Sequence, residues 1–126
     1  MHKSKLAGFI IDCQTGNLQA AAEFWGGALG MEVRKLPDEE GGRYVQLLDP
    51  HELLHIEVQS VSHASRVHLD IEADDVEAEA TRLEALGATR VKKINTWWVM
   101  EAPTGQRFCV VRAKAGAFAN TANTWS

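Results

Sequence analysis

Two segments of this chain are written to one plan, and that repetition limits the possible folds more than any other feature. NLQAAAEFWGGALGMEVRK begins at Asn17, and DVEAEATRLEALGATRVKK begins at Asp75. Each is a helical stretch that ends in Ala-Leu-Gly and passes into a short strand of mixed basic and apolar residues. In the first, Leu18, Ala21, Ala22, Trp25 and Leu29 recur at helical spacing; in the second, Val76, Ala80, Leu83 and Leu86 do the same. Gly30 and Gly87 follow the last periodic residues, where a left-handed cap favours glycine.

The flanks repeat as well. One strand is predicted before each helix, Leu6–Cys13 and Arg66–Ala73, and three after it. The first three are Met31–Leu36, Tyr44–Leu48 and Leu53–Val61; the second three are Thr89–Lys93, Trp97–Glu101 and Arg107–Arg112. Asp49-Pro50 turns the first copy where Ala102-Pro103-Thr104-Gly105 turns the second. Matching points stand about 53 to 60 residues apart, so each copy fills half of the chain. A length of 126 residues supports one core and is too short for two independent ones. The expected organisation is a single domain, 1–126, with unit one at 5–61, unit two at 66–113 and a tail at 114–126. Ser60–Ser65 reads as a polar linker. The tail has no periodicity; it is either loose or pinned by Phe118 and Trp125.

Charge excludes some partners. The net charge is −4 with both signs interleaved, so no basic stripe for nucleic acid and no cationic amphipathic helix for a membrane surface is present. The opening MHKSKLAGFIIDC breaks at Asp12 without a small-residue cleavage site and reads as a strand, not a signal peptide. No apolar run approaches the ~18 residues of a membrane span. Cys13 and Cys109 each sit inside an apolar strand pattern, which fits reduced thiols and a cytoplasmic location.

Strand parity picks out the candidate site residues, because alternate side chains face opposite sides of a sheet. In Arg66–Ala73, Val67, Leu69, Ile71 and Ala73 form an apolar face for the helices, leaving Arg66, His68, Asp70 and Glu72 on the other. Likewise Leu54, Ile56 and Val58 alternate with His55, Glu57 and Gln59. His68 suits a general base beside Asp70, a hydrogen-bonding cleft residue, or a structurally satisfied histidine. His55 and Glu57 make an i, i+2 pair that ordinary polar alternation would also produce. Of the adjacent Trp97 and Trp98, one faces the helices and the other the opposite side; an outward Trp98 suits a ligand-contacting ring or a surface covered by the tail or a second subunit. Glu77, Glu79 and Glu84 read as a solvated helix face, and Cys109 as a small buried hydrophobe unless its parity aims it inward.

The carriers FIIDC, AAAEFWGGALGMEV, YVQLLDP, VHLDIEADDVEAEATRLEALGATRV and WWVMEAPTGQRFCVV cover Leu6 to Arg112. Together they resemble the vicinal oxygen chelate superfamily, which includes glyoxalase, extradiol dioxygenases, and bleomycin and fosfomycin resistance proteins, and its small glyoxalase-like subgroup in particular. The resemblance implies an α+β fold: tandem βαβββ units, curved mixed sheets around a cleft, and helices on the outer face. It also implies a homodimer and a divalent metal held by four side chains, one from the first and one from the last strand of each unit. His68 matches the first-strand ligand of unit two, and Glu57 or Gln59 the last-strand ligand of unit one. Gly8 stands at the other first-strand position and Cys109 at the usual glutamate. The implied metal set is therefore His68, Glu57 and Cys109, although no cofactor follows from the residues alone. Three functions follow: a protein that binds or transforms a small organic molecule through His68, Glu57, Trp98, His55, Asp70 and Gln59; a metal-dependent lyase, isomerase or dioxygenase; or a non-catalytic drug-binding protein.

Overall fold

The computed structural model describes residues 1–36, 43–114 and 118–126. Among the described residues the strands are β1 His2–Gln14, β2 Glu32–Lys35, β3 Tyr44–Leu48, β4 His55–Val61, β5 Arg66–Ala73, β6 Thr89–Ile94, β7 Trp97–Glu101, β8 Arg107–Arg112 and β9 Asn123–Trp125. The helices among the described residues are α1 Leu18–Leu29, α2 Val76–Ala85 and the short α3 Phe118–Thr121. The fold is α+β with mixed sheet, as the repeat requires. Its contacts divide into two compact units, Gly8–His68 on one hand, and Met1–Ala7 with Leu69–Ser126 on the other.

In the Gly8–His68 unit the strand order is β2-β3-β4-β1, with β1 parallel to β4 and the other pairs antiparallel. One side of this sheet is apolar. Ile11, Val45, Leu47, Ile56 and Val58 are buried there against Ala22 of α1, with Phe9, Leu18 and Trp25 packed around them. Helix α1 starts where the Asn17 side chain accepts a hydrogen bond from the Ala20 amide at 3.0 Å, and ends at Gly30 with φ 69°. Leu29, the last residue of its stripe, is 43 % exposed. Gly8 has a different reason. A Cβ there would stand 1.9 Å from the His55 carbonyl oxygen, so β1 and β4 approach closely only because the side chain is missing.

The second unit carries the order β5-β8-β7-β6, with β5 parallel to β8. Ala73, Ala80, Leu83, Ala88, Met100 and Val110 are its buried core, with Ile71, Val76, Trp98 and Phe108 at the edge. Asp75 caps α2 by accepting from the Ala78 amide at 3.0 Å. Leu86 completes the helical stripe on paper but lies just past α2 and is 68 % exposed.

One open reading is decided here and one expectation changes. Of the two readings of the tail, the pinned one holds for its described end: β9 pairs antiparallel with the start of β1, and Trp125 Nε1 donates to Ser4 Oγ at 2.8 Å. Glu79 does not lie on a solvated face. It is fully buried, because β1 begins at His2 and its first residues come down on that side of α2. Glu77 and Glu84 do remain in solvent, where both accept hydrogen bonds from Arg90.

Candidate functional site

The side of the Gly8–His68 sheet opposite its core is polar. Register places Gln59 of β4 beside Asp12 of β1 and Tyr44 of β3, and Glu57 beside Ile10 and Gln46. Registered neighbours point to the same face, so Asp12, Tyr44, Gln46, Glu57 and Gln59 share one surface. Gln59 Nε2 donates to Tyr44 Oη at 3.0 Å. His55 Nε2 and Glu57 Oε2, which the i, i+2 spacing puts on one face, are 2.9 Å apart.

His68 leaves β5 on this side and meets Asp12. Its Nδ1 lies 2.7 Å from Asp12 Oδ2, and the two side chains are 14 % and 2 % exposed. Because a carboxylate only accepts, His68 Nδ1 is the donor in this contact. Arg66 Nε stands 3.8 Å from the same Asp12 oxygen, an ion pair beyond hydrogen-bonding reach, with the Arg66 side chain 48 % exposed. Asp12 Oδ1 is buried and has no hydrogen-bond partner among the described residues.

Asp12 was missed in the sequence. It figured only as the residue that ends an apolar run, and Asp70 stood as the neighbour of His68 by parity. The signal available was an acid following directly on the apolar run Phe9-Ile10-Ile11, a position that costs free energy when buried unless a partner is present.

In the second unit, Cys109 of β8 stands directly opposite Asp70 of β5, and their donor atoms lie within 4.8 Å. Parity therefore does aim the Cys109 thiol away from the Phe108–Val110 core and toward the polar side. His68 is two residues before Asp70 on the same strand and shares its face. No group of three metal-capable side chains among the described residues includes Glu57. Trp98 is on the helix-bearing face: it pairs with Val110, and its Nε1 donates to Glu77 of α2 at 2.9 Å. Arg90 lies over its ring at 4.8 Å. By alternation Trp97, not Trp98, shares the Cys109 side, because the β7–β8 register decides which of two adjacent rings turns inward.

A family model described as a glyoxalase-like domain matches residues 8–111. The chain belongs to this family. It is thereby a member of the vicinal oxygen chelate superfamily, whose known members bind or transform small molecules. No curated protein sequence matches it. Among solved structures it is similar to methylmalonyl-CoA epimerase from Mycobacterium tuberculosis, at 18 % identity over 92 % of this chain and 91 % of that one, with a TM-score of 0.63. A hypothetical protein from Bacillus halodurans shares 13 % identity over 90 % and 97 %, with a TM-score of 0.64. A Streptomyces coelicolor methylmalonyl-CoA epimerase variant in complex with 2-nitronate-propionyl-CoA shares 18 % over 88 % and 98 %, at 0.59. At these identities the likeness is one of fold.

Proposed function

We propose that this glyoxalase-like domain moves a proton at a carbon next to a carbonyl in a small organic substrate, with His68 as general base. The observation that carries this reading is the 2.7 Å contact between His68 Nδ1 and the buried Asp12 carboxylate. Asp12 fixes the tautomer, so Nε2 accepts the proton: the C–H bond breaks, an N–H bond forms, and the electron pair moves onto the carbonyl oxygen as an enolate. Return of the proton, to either face of the carbon, restores His68. The imidazolium formed in between is stabilised by Asp12, a positioning residue, and such a base contributes roughly 10²–10⁴ in rate. His55 and Glu57, a second proton-carrying pair, and the Gln59–Tyr44 hydrogen bond supply polar contacts on the same face. Two of the similar structures are epimerases of a malonyl-type thioester, which fits this chemistry.

The test is solvent exchange. In deuterium oxide, wild-type protein should wash deuterium into malonyl-type CoA thioesters or 2-oxoaldehyde hemithioacetals, followed by mass spectrometry, and His68→Gln should not. Exchange that survives in His68→Gln at the wild-type rate removes His68 from the reaction.

A second reading, metal-dependent lyase, isomerase or dioxygenase chemistry, is favoured by one observation: Cys109 faces Asp70. The family's four-ligand set does not fit, since the close approach to His55 bars any side chain at Gly8. The donors of the second unit that could hold an ion are Asp70 and Cys109, an oxygen and a sulfur suited to zinc or iron. A bound divalent metal would polarise neighbouring oxygens of a substrate. Metal analysis of untagged protein tests this: stoichiometric zinc or iron lost in Cys109→Ser supports it, and none after incubation with either removes it. Sequestration of a drug-like molecule without chemistry is the reading left if both tests fail. The homodimer belongs to the proposal through the family resemblance, and the cytoplasmic setting through the two free cysteines. Light scattering checks the dimer. Among the described residues, no helix is long and apolar enough to cross a membrane.

A further inference from the structure

We infer that Arg66 is an anion anchor and that the molecule acted on at His68 carries a carboxylate; this deepens the reading of His68 as a base and rests on it. Arg66 opens β5 two residues before His68, so the two side chains leave the same face of one strand. Asp12 joins them. Its buried Oδ2 takes the His68 Nδ1–H at 2.7 Å and holds the Arg66 guanidinium at 3.8 Å through the Nε edge. Among the described residues, Asp12 is the sole charged partner of Arg66, and the guanidinium makes no hydrogen bond. A half-exposed guanidinium oriented on one edge and uncommitted at its terminal nitrogens presents a planar fork that matches the two oxygens of a carboxylate.

Two further features agree. Asp12 Oδ1 is buried without a partner, the mark of a polar group whose hydrogen-bond donor arrives with a ligand or its water. The charges also decide between anions. Arg66 and Asp12 cancel, so a monoanionic carboxylate adds one negative charge, and protonation of His68 neutralises it as the proton is taken. A dianionic phosphate would leave a surplus negative charge next to Asp12, with Glu57 on the same face. The substrate class is accordingly a small carboxylic acid whose reacting carbon sits one or two bonds from the carboxylate, within reach of both Arg66 and His68.

The experiment titrates isotope-labelled protein with malonamate (the monoanionic half-amide of malonic acid), malonamide and inorganic phosphate, observing the Arg66 Nε–H and the His68 ring by NMR. Malonamate should shift both resonances and bind at least tenfold more tightly than malonamide or phosphate. Arg66→Gln should weaken malonamate at least tenfold, and Arg66→Lys should restore part of that loss. Equal binding of malonamate and malonamide, tighter binding of phosphate, or unchanged affinity in Arg66→Gln overturns the inference. His68→Gln separates the two claims. If that variant still exchanges the substrate proton but malonamate binding still depends on Arg66, the base assignment fails and the anion site stands. If exchange is lost with His68 but malonamate ignores Arg66, the base assignment stands and the anchor fails.

Discussion

Two buried carboxylates, one in each compact unit, are treated in opposite ways. Glu79 of α2 is fully buried and saturated. Arg82 reaches both its oxygens at 2.8 Å, His2 Nε2 meets Oε1 at 2.8 Å, and Ser4 Oγ donates to Oε2 at 2.8 Å. Asp12 is 2 % exposed, yet one of its oxygens has no partner among the described residues and the other shares a single imidazole hydrogen bond. Burying a charge is tolerated when every lone pair is met. Glu79 meets that condition and ties the first residues of β1 to α2. Asp12 leaves it unmet beside a histidine and an arginine that face outward. A fold keeps such a shortfall where a function uses it.

The largest effect expected from this contrast is on stability. Glu79→Ala strands Arg82 and His2 against a buried gap and should cost about 3–5 kcal/mol, read as a fall in the urea midpoint. Asp12→Asn should instead change stability by less than about 1 kcal/mol, because the charge it removes was never fully compensated. If the two substitutions destabilise equally, the distinction between a structural and a functional carboxylate is lost.

The second effect appears in activity and in the imidazole. Asp12→Asn should slow proton exchange by about 100-fold, worth about 2.7 kcal/mol of barrier, with His68 nitrogen shifts showing that Nδ1 no longer holds the proton in one fixed tautomer. Glu79→Gln should leave both readouts alone. An unchanged His68 tautomer in Asp12→Asn breaks the coupling on which the mechanism depends.

Much of this arrangement was legible before the structure, and each exception has a physical cause. Strands β3, β5, β7 and β8 end where alternation and the turn residues said, and both long helices end where Ala-Leu-Gly places them. His55–Glu57 was readable as a pair because both lie on one strand. Asp12–His68 was not, since 56 positions separate partners that only the packing of β1 and β5 brings together. Glu79 failed for another reason: two positions from Glu77, it turns to the opposite side of α2, toward Ala80 and Leu83, and nothing local reveals that the chain's first residues will cover it there. Trp98 was misjudged between two equivalent parities. Alternation says that Trp97 and Trp98 point apart, but which one joins the helix side depends on the register of β7 with β8.

Acid gives a third, smaller separation. Burial pushes the Glu79 carboxyl up, but hydrogen bonds from Arg82, His2 and Ser4 outweigh it and hold the group below the usual carboxylate range. A carboxyl whose folded pKa is depressed adds stability above its unfolded value, about 4.3, and loses it as pH falls through the folded one. Wild-type stability should therefore decline below about pH 4.3 more steeply than that of Glu79→Gln, as thermal midpoints measured across that range would show. Parallel curves would mean that the network around Glu79 does not favour its charged form.

The smallest effect tests how far saturation at Glu79 extends. Ser4 Oγ donates to Glu79 and accepts from Trp125 Nε1 at 2.8 Å, while the Arg82 guanidinium lies 3.8 Å over the Trp125 ring. Trp125 thus supports two of the groups that satisfy the carboxylate without touching it. Trp125→Phe removes the N–H and keeps a ring for Arg82, so the loss should be about 1 kcal/mol, one neutral hydrogen bond. Combining it with Ser4→Ala should cost less than the sum, because each removes the same bond. Strict additivity would make β9 an independent strand on β1, and the closed network of the second unit would then end at Ser4 rather than running out to the tail.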